Sequence, residues 1–296
     1  MTIPNSSAKS EPNTRPNSLA KSEPDTRPNS SAETGPVRGG DLMQLLPTSP
    51  LAPEIFAALI ELADDEFIIG HRHSEWLGLS PFLEEDLTLS SIAQDEFGHA
   101  RALYRIIWPG WDTREQGLVR RPAHEWRSCS LTERQSPTWE WSLIRHAVYD
   151  TAEPHRWNHL LRTYGATINE LEALVANVHQ EEAFHRRHAD DLVRRIGNAN
   201  DDARLKLQSA VDELWPDVLT FLAGATGAQS WGDAFLVDLD RLFDEALLSR
   251  PDVTSKATSG VTSEARSNSR SVRHPDFAGI SESLLVVVAF DPTASW

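Results

Sequence analysis

Two short motifs, each pairing a glutamate with a histidine three positions later, constrain the fold of this chain more than any other feature. They are Glu96-Phe97-Gly98-His99 and Glu182-Ala183-Phe184-His185. Positions i and i+3 are neighbours on one face of an α-helix, so each pair can direct a carboxylate and an imidazole at the same metal ion. About one such motif is expected by chance in a chain of this size, and two carry more weight than one.

Both motifs interrupt apolar stripes that have the period of a helix. Val175 and Val178 precede Glu182 on one such stripe, and Ile92 precedes Glu96 on the other. A stripe of this kind faces a protein core, where an ionised carboxylate is costly unless it is paired or binds a metal. Two buried Glu–His hydrogen bonds without metal are the alternative. The repetition of the motif favours a metal site.

Helical periodicity and the positions of proline and glycine predict six helices. We place them at about residues 53–76, 80–108, 136–164, 167–197, 201–222 and 231–248. The short turn near Gly78 makes the first two helices antiparallel neighbours, and residues 109–136 are typical of the long crossover in a four-helix bundle. The sequence therefore predicts an all-α fold, in which a four-helix bundle is followed by additional C-terminal helices.

The first and third predicted helices each carry a glutamate on the core-facing stripe. Glu66 lies thirty residues before the first motif (96 − 66), and Glu153 lies twenty-nine before the second (182 − 153). Two Glu-x-x-His pairs and one carboxylate from each of two other helices form the di-metal site of such bundles. Because Pro154 should kink its helix, Asp150, one turn earlier, stays open as an alternative to Glu153.

The predicted donors are four carboxylates and two imidazoles, with no catalytic residue beyond them. Such a set suits two iron ions, two manganese ions or a mixed pair better than structural zinc, which prefers thiolates. Asp95 and Glu181 are candidates for hydrogen bonds to the ligand histidines. His73 and Tyr149 are candidates to contact the metal ligands without binding the metal themselves. The predicted ligands are Glu66, Glu96, His99, Glu153, Glu182 and His185, with Asp150 as the alternative.

The two ends of the chain differ from the predicted bundle. Residues 1–42 contain a polar twelve-residue repeat that begins at Asn5 and again at Asn17. This segment cannot bury enough apolar surface to offset its ordering entropy, so we expect it to be disordered. Residues 43–250 form the predicted helical domain. Residues 251–296 are expected to be a linker and a C-terminal tail, which contains a β-prone apolar run at 284–290.

Composition excludes several classes of protein. The formal net charge of −16 argues against a nucleic-acid-binding protein. The chain has no apolar run long enough to cross a membrane, and its polar N-terminus is unlike a signal peptide. With Cys129 as the single cysteine, no intrachain disulfide can form. We expect a cytoplasmic protein that binds neither nucleic acid nor membranes.

Three stretches, Gly70–Trp76, Glu85–Asp95 and Gly98–Arg101, resemble the phenylacetic acid catabolic protein family. That family supplies the ferritin-like subunits of the ring-1,2-phenylacetyl-CoA epoxidase (monooxygenase) complex. The likeness is greatest to its structural, non-catalytic subunit, which typically lacks a complete metal set, whereas all six donors are present here. The resemblance implies a ferritin-like di-iron oxygenase that uses O2, a separate reductase and an aromatic acyl-CoA such as phenylacetyl-CoA. It also implies a homodimer or a hetero-oligomer with a related subunit.

Two other functions compete with oxygenation. One is a non-catalytic subunit that supports a separate di-iron chain, and the complete ligand set argues against it. The other is a ferritin-like iron oxidation protein, for which the long crossover, the extra helices and the tails are unfavourable because they hinder a compact cage. The site, rather than the fold alone, favours the oxygenase.

Overall fold

Helices account for all the regular secondary structure of the residues that the computed structural model describes, which are 46, 48–110, 115–251 and 270–290. The predicted all-α fold is confirmed, and each of the six predicted helices ends within a few residues of its expected bounds. The predicted disordered segment, residues 1–42, lies outside the described residues. In chain order the helices are α1 (Pro53–Ser74), α2 (Leu83–Ile107), α3 (Glu115–Val119), a 3-10 turn (Ala123–Glu125), α4 (Ser130–Glu133), α5 (Trp139–Tyr164), α6 (Leu171–Gly197), α7 (Asp201–Gly224), α8 (Ala228–Glu245) and α9 (Phe277–Phe290).

Four long helices, α1, α2, α5 and α6, form the central bundle. α1 packs along α2 and α5 packs along α6, while α2 also contacts α6 and α1 contacts α5. The crossover between α2 and α5 contains the short helices α3 and α4, and α7 and α8 pack against α5 outside the bundle. This arrangement is the predicted ferritin-like bundle with additional C-terminal helices.

Local sequence explains where several of these helices begin. Pro53 is the first residue of α1, where its missing N–H costs nothing. The side chain of Thr138 accepts a hydrogen bond from the Trp141 N–H at the start of α5, and Asn200 caps α7 in the same way. In the α1–α2 turn, Gly78 adopts a φ of 77°, a left-handed conformation that glycine allows without strain.

Two apolar clusters fill the interior, one toward each end of the bundle. Leu59 and Leu103 belong to the cluster between α1, α2 and the first half of α6. Val193 and Phe221 belong to the cluster that joins α5 and the second half of α6 to α7 and α8. Between these clusters lies a layer of buried ionisable side chains. Because buried charge is costly without a partner, this layer requires a specific explanation.

The C-terminal run 284–290 is helical, so the prediction that it is β-prone is wrong. It forms the second half of α9, whose Phe277, Ile280 and Leu284 follow helical spacing and pack near Ile68 and Trp126. Valine favours a strand mainly where a pleated neighbour exists, whereas the buried contacts of this helix are made by Phe277 and Ile280, before the valines. Neither α9 nor any other described helix combines the length and the apolar composition that a membrane span needs.

Candidate metal centre

The two Glu-x-x-His motifs face each other between α2 and α6. The rings of His99 and His185 lie 6.3 Å apart, and both direct Nδ1 at the motif glutamates. Glu182 Oε1 lies 3.4 Å from each Nδ1 atom. Glu96 lies 3.7 Å from His99 Nδ1 through Oε2 and 3.6 Å from His185 Nδ1 through Oε1. Both glutamates therefore lie between the two histidines, where a carboxylate could bridge two metal ions.

One further carboxylate lies on each side of this arrangement. Glu66 Oε2 is 3.2 Å from His99 Nδ1, and Glu66 forms a group with Glu96, His99 and Glu182 whose ligand atoms all lie within 4.8 Å of one another. Asp150 forms a second such group with Glu182 and His185. The two groups share Glu182, and each has the donors to hold one metal ion.

Many of these donor atoms have no hydrogen-bond partner among the described residues. They include both carboxylate oxygens of Glu96, Glu182 and Asp150, and Nδ1 of His185. Leaving one buried polar group unsatisfied costs about 1–3 kcal/mol, and more when the group is charged. A concentration of unpaired buried acceptors is therefore unfavourable without a cation. The residues present fit divalent metal ions, because carboxylates and imidazoles suit iron and manganese.

Glu153, which the spacing favoured as the ligand from α5, belongs to neither group. Arg156 Nη1 donates to Glu153 Oε1 at 2.9 Å, and Trp157 Nε1 donates to Oε2 at 2.6 Å. Both oxygens of Glu153 thus have hydrogen-bond donors, whereas neither oxygen of Asp150 accepts a hydrogen bond from a described residue, although His146 Nε2 lies 2.8 Å from its Oδ2. The structure brings the alternative residue, Asp150, to the other donors. Helical spacing alone does not reveal that Arg156, one turn after Glu153, competes with a metal ion for the carboxylate of Glu153.

Each histidine also contacts a carboxylate on its outer nitrogen, and these two contacts cross between helices. His99 Nε2 on α2 lies 2.8 Å from Glu181 Oε2 on α6. His185 Nε2 on α6 lies 3.2 Å from Asp95 Oδ2 on α2. Because a carboxylate can only accept, each pairing puts a ring proton on Nε2 and leaves Nδ1 as the atom that could bind a metal ion. Asp95 and Glu181 therefore lie where the sequence expected them.

Tyr149 lies directly behind Glu66. Its hydroxyl donates to Glu66 Oε1 at 3.2 Å and accepts from Arg156 Nη1 at 3.0 Å. Arg156 also donates to Asp65 Oδ2 at 2.6 Å, so this buried guanidinium ties α5 to α1. Sequence reasoning missed both Arg156 and its neighbour Trp157. The signal that could have found Arg156 is its i+3 spacing from the glutamate of α5.

His73 is fully buried but lies away from the donor groups. Neither of its ring nitrogens has a hydrogen-bond partner in the described part of the chain. Its ring centroid lies 4.7 Å from that of His146 on α5, a residue that sequence reasoning also missed. Burial, with a smaller contribution from neighbouring cationic groups, lowers the pKa of His73 well below its usual value and that of His146 to about 3. Both imidazoles are therefore neutral near pH 7.

Burial also perturbs the acids and bases of the centre itself. It raises the pKa of Glu66 to about 8, with the nearby charge of Glu96 adding to the shift, and the pKa of Asp150 to about 7. Burial alone would lower the pKa of His185, but contacts with Glu182 and Glu96 outweigh it and raise that pKa to about 12. Burial would likewise lower the pKa of His99, but contacts with Glu66 and Glu96 outweigh it and raise that pKa. The metal-free centre therefore retains protons, which bound cations would displace.

A groove of about 510 Å³ reaches the centre from outside, between α5 and α6. Glu182 lies at its inner wall, and Pro154 lies at its edge within α5. Three guanidinium side chains line the outer part, those of Arg186, Arg187 and Arg194. The groove is therefore one approach to the donor groups.

The bundle is ferritin-like and holds two buried carboxylate–histidine groups. These features place the chain in the class of helical bundle proteins with a candidate di-metal centre. The phenylacetic acid catabolic protein family matches residues 48–296, and the chain belongs to that family. It is similar to one of the subunits of 1,2-phenylacetyl-CoA epoxidase from Escherichia coli (strain K12), with 25% identity over 164 residues. The match covers 55% of this chain and 65% of that relative, which is less than two thirds of its length. The family membership that the sequence motifs implied is confirmed.

Proposed function

We propose that this chain is the metal-binding subunit of an O2-dependent di-iron oxygenase. The observation that carries the proposal is the convergence of buried donors on one interior point, many of them without a hydrogen bond to any described residue. We assign Asp150 rather than Glu153 as the ligand from α5, because its oxygens accept no hydrogen bond from a described residue, whereas Arg156 and Trp157 donate to both oxygens of Glu153. The proposed ligands are Glu66, Glu96, His99, Asp150, Glu182 and His185.

Two iron ions, or manganese in one or both positions, match this donor set. When bound, a reduced iron pair supplies the electrons and the site for activating O2, which is chemistry that side chains cannot perform. Glu96 and Glu182, which lie between the two histidines, would help to hold the ions, while Glu181 and Asp95 hold the histidine rings in orientation. The apolar clusters on either side keep bulk water from the centre.

The net reaction inserts one oxygen atom of O2 into an organic substrate. The other atom leaves as water, which requires two electrons and two protons from outside the substrate. The sequence contains no flavin, dinucleotide or iron–sulfur motif, so a separate reductase is proposed as the electron donor. Because the similar Escherichia coli protein is a subunit of an epoxidase, we also propose assembly with a related ferritin-like subunit or with a second copy.

The proposed substrate is an aromatic acyl-CoA such as phenylacetyl-CoA. Family membership suggests this class, and the groove between α5 and α6 offers an approach of suitable chemistry. Arg186, Arg187 and Arg194 line it, and guanidinium groups bind phosphates through paired hydrogen bonds. The acyl end of such a ligand would then point toward Glu182 at the inner wall.

A single-turnover experiment tests the proposed reaction. Iron-loaded protein is reduced chemically, mixed with phenylacetyl-CoA and ¹⁸O2, and the products are analysed by mass spectrometry. We expect one ¹⁸O atom in the product from the native chain and none from Glu182→Ala. Absence of label from a fully iron-loaded native chain, alone and with its co-purifying partner, would contradict the oxygenase function.

One observation favours a second candidate, a non-catalytic subunit that supports a separate di-iron chain. Arg156 and Trp157 satisfy both oxygens of Glu153 without any metal, as expected where protein contacts replace a metal ligand. This function predicts little iron in the purified chain and a co-purifying iron protein. Metal content therefore separates the two candidates before any turnover assay.

A further inference from the structure

A second layer of buried polar side chains lies beyond the metal centre, toward the α1–α2 turn. Each bundle helix contributes one residue to it, and none of the four is more than one fifth exposed. Its residue on α5 lies one helical turn before Asp150, and its residue on α6 lies one turn after His185. Its residue on α1 lies two turns after Glu66. Its members are His73, Glu85, His146 and His188.

This layer connects to the metal centre on one side and approaches the surface on the other. His146 Nε2 lies 2.8 Å from Asp150 Oδ2. Farther out, His188 Nε2 lies 2.9 Å from Glu85 Oε2, and the rings of His188 and His146 are 6.2 Å apart. The side chain of His188 is 19% exposed, whereas that of Glu85 is 1% exposed. Polar groups thus follow one another from a solvent-accessible histidine to a proposed ligand.

Several polar atoms of this layer make no hydrogen bond to any described residue. They are both nitrogens of His73, Nε2 of His146 and of His188, and Oε2 of Glu85, although three of them take part in the two short contacts given above. Two members of the layer, Glu85 and His146, line a cavity of about 10 Å³ together with Trp76 and Ser80 of the α1–α2 turn. Such a cavity holds about one water molecule, or an ion that has lost most of its hydration.

Imidazole nitrogen and carboxylate oxygen are ligands for divalent transition-metal ions. We propose that this layer is a transit site through which Fe²⁺ enters the protein, from the α1–α2 turn past Glu85 and His188 and then past His146 to Asp150. The inference rests on the proposed di-iron centre. It adds the direction of loading and the residues that receive the ion first.

The geometry is that of a passage rather than a third storage site. Among the described residues, no three donors of this layer bring their ligand atoms within 4.8 Å of one another, whereas the donors of the metal centre do. An ion here would meet two ligands at a time and be held weakly. At the centre it would meet three or four, so transfer inward is favourable.

Iron loading of the metal-free protein tests the proposal. Full-length protein is stripped with chelator and mixed anaerobically with Fe²⁺, and both the loading rate and the final iron per chain are measured. The variants are Glu85→Gln and His188→Gln, the second at a partly exposed rim where folding is not at risk. The matched control is Asp190→Asn, which removes a carboxylate from the groove between α5 and α6 and so tests the rival route.

We expect Glu85→Gln and His188→Gln to load about tenfold more slowly, the range by which a charged entrance accelerates binding, while reaching the same final iron content. Asp190→Asn should load at the native rate. Native rates in both layer variants, or a slow Asp190→Asn alone, would overturn the route but leave the metal centre intact. A lower final iron content in the layer variants would make them retaining ligands and also overturn it. No iron in the native chain would overturn the route and the proposed function together.

Discussion

The outer nitrogen of His99 on α2 lies 2.8 Å from Glu181 on α6. The opposite histidine, His185, repeats this contact in reverse with Asp95 of α2. In both cases the carboxylate belongs to the residue just before the other helix's motif glutamate. Each helix therefore orients the histidine of its partner, and the geometry of the centre depends on correct pairing of α2 with α6.

Glu181→Gln should weaken iron binding while leaving the fold intact. An amide removes the negative charge that fixes the His99 ring, and loss of such a partner typically lowers metal affinity about 10–100-fold. The affinity is measured by competition with a calibrated chelator, with circular dichroism as the check on folding. Glu172→Gln, an exposed residue of the same helix, is the control. Equal affinities for the two variants would contradict the orienting role.

The choice of ligand on α5 is tested by a pair of conservative substitutions. Asp150→Asn should reduce the iron content from about two ions per chain to about one, because the second donor group depends on it. Glu153→Gln should retain both ions, since Arg156 and Trp157 already occupy its oxygens. Metal analysis after gel filtration measures both. The reverse pattern would return Glu153 to the ligand set.

The metal-free protein should respond to pH through Glu66. Burial and the charge of Glu96 raise its folded-state pKa from 4.5 to about 8. Glu66 therefore contributes stability that is fully present below its unfolded-state pKa of 4.5. This contribution is lost as pH rises through its folded-state pKa of about 8. We expect the melting temperature of Glu66→Gln, relative to the native chain in chelator, to rise between about pH 6 and pH 8.5. A difference that stays constant with pH would show that Glu66 is ionised throughout.

Arg270 should be among the most important charged residues for stability. It donates to Asp65 Oδ2 at 2.8 Å in the buried interior and also contacts Glu61. Breaking a buried ion pair costs about 3–5 kcal/mol, and because Arg156 also pairs with Asp65 we expect Arg270→Gln to cost about 3 kcal/mol by urea unfolding.

The exposed pair between Arg241 and Asp238 provides the comparison for Arg270. Its members are one turn apart on α8, and the arginine side chain is 62% exposed. Arg241→Gln should therefore change the free energy of unfolding by less than about 0.5 kcal/mol. Equal effects of the two substitutions would mean that Arg270 does not anchor the residues before α9.

The sequence predicted the bundle because its signals are local. Pro53 and Gly78 mark helix ends by their own backbone preferences, and the two Glu-x-x-His motifs are visible because a helix repeats every few residues. The placement of Asp95 and Glu181 followed from adjacency to those motifs. Features of this kind need no knowledge of which helices meet.

Features that depend on side-chain packing escaped sequence reasoning. Glu153 had better spacing than Asp150, but Arg156 and Trp157 donate to its oxygens, and that pairing depends on side-chain direction in the packed bundle. The layer of His146 and Glu85 joins residues that are sixty-one positions apart, so no local pattern reveals it. The helix α9 packs Phe277 and Ile280 on Ile68 of α1 and Trp126 of the crossover, and these contacts are not visible in the strand propensity of its valines.

The most direct test of the central claim is the metal content of the full-length chain purified from iron-supplied cells. Glu96→Ala and Glu182→Ala are purified beside it, because these two glutamates lie between both histidines. A di-metal centre predicts about two irons per native chain and loss of most of this iron in both variants. A native chain without iron, or iron that persists in both variants, would contradict the centre.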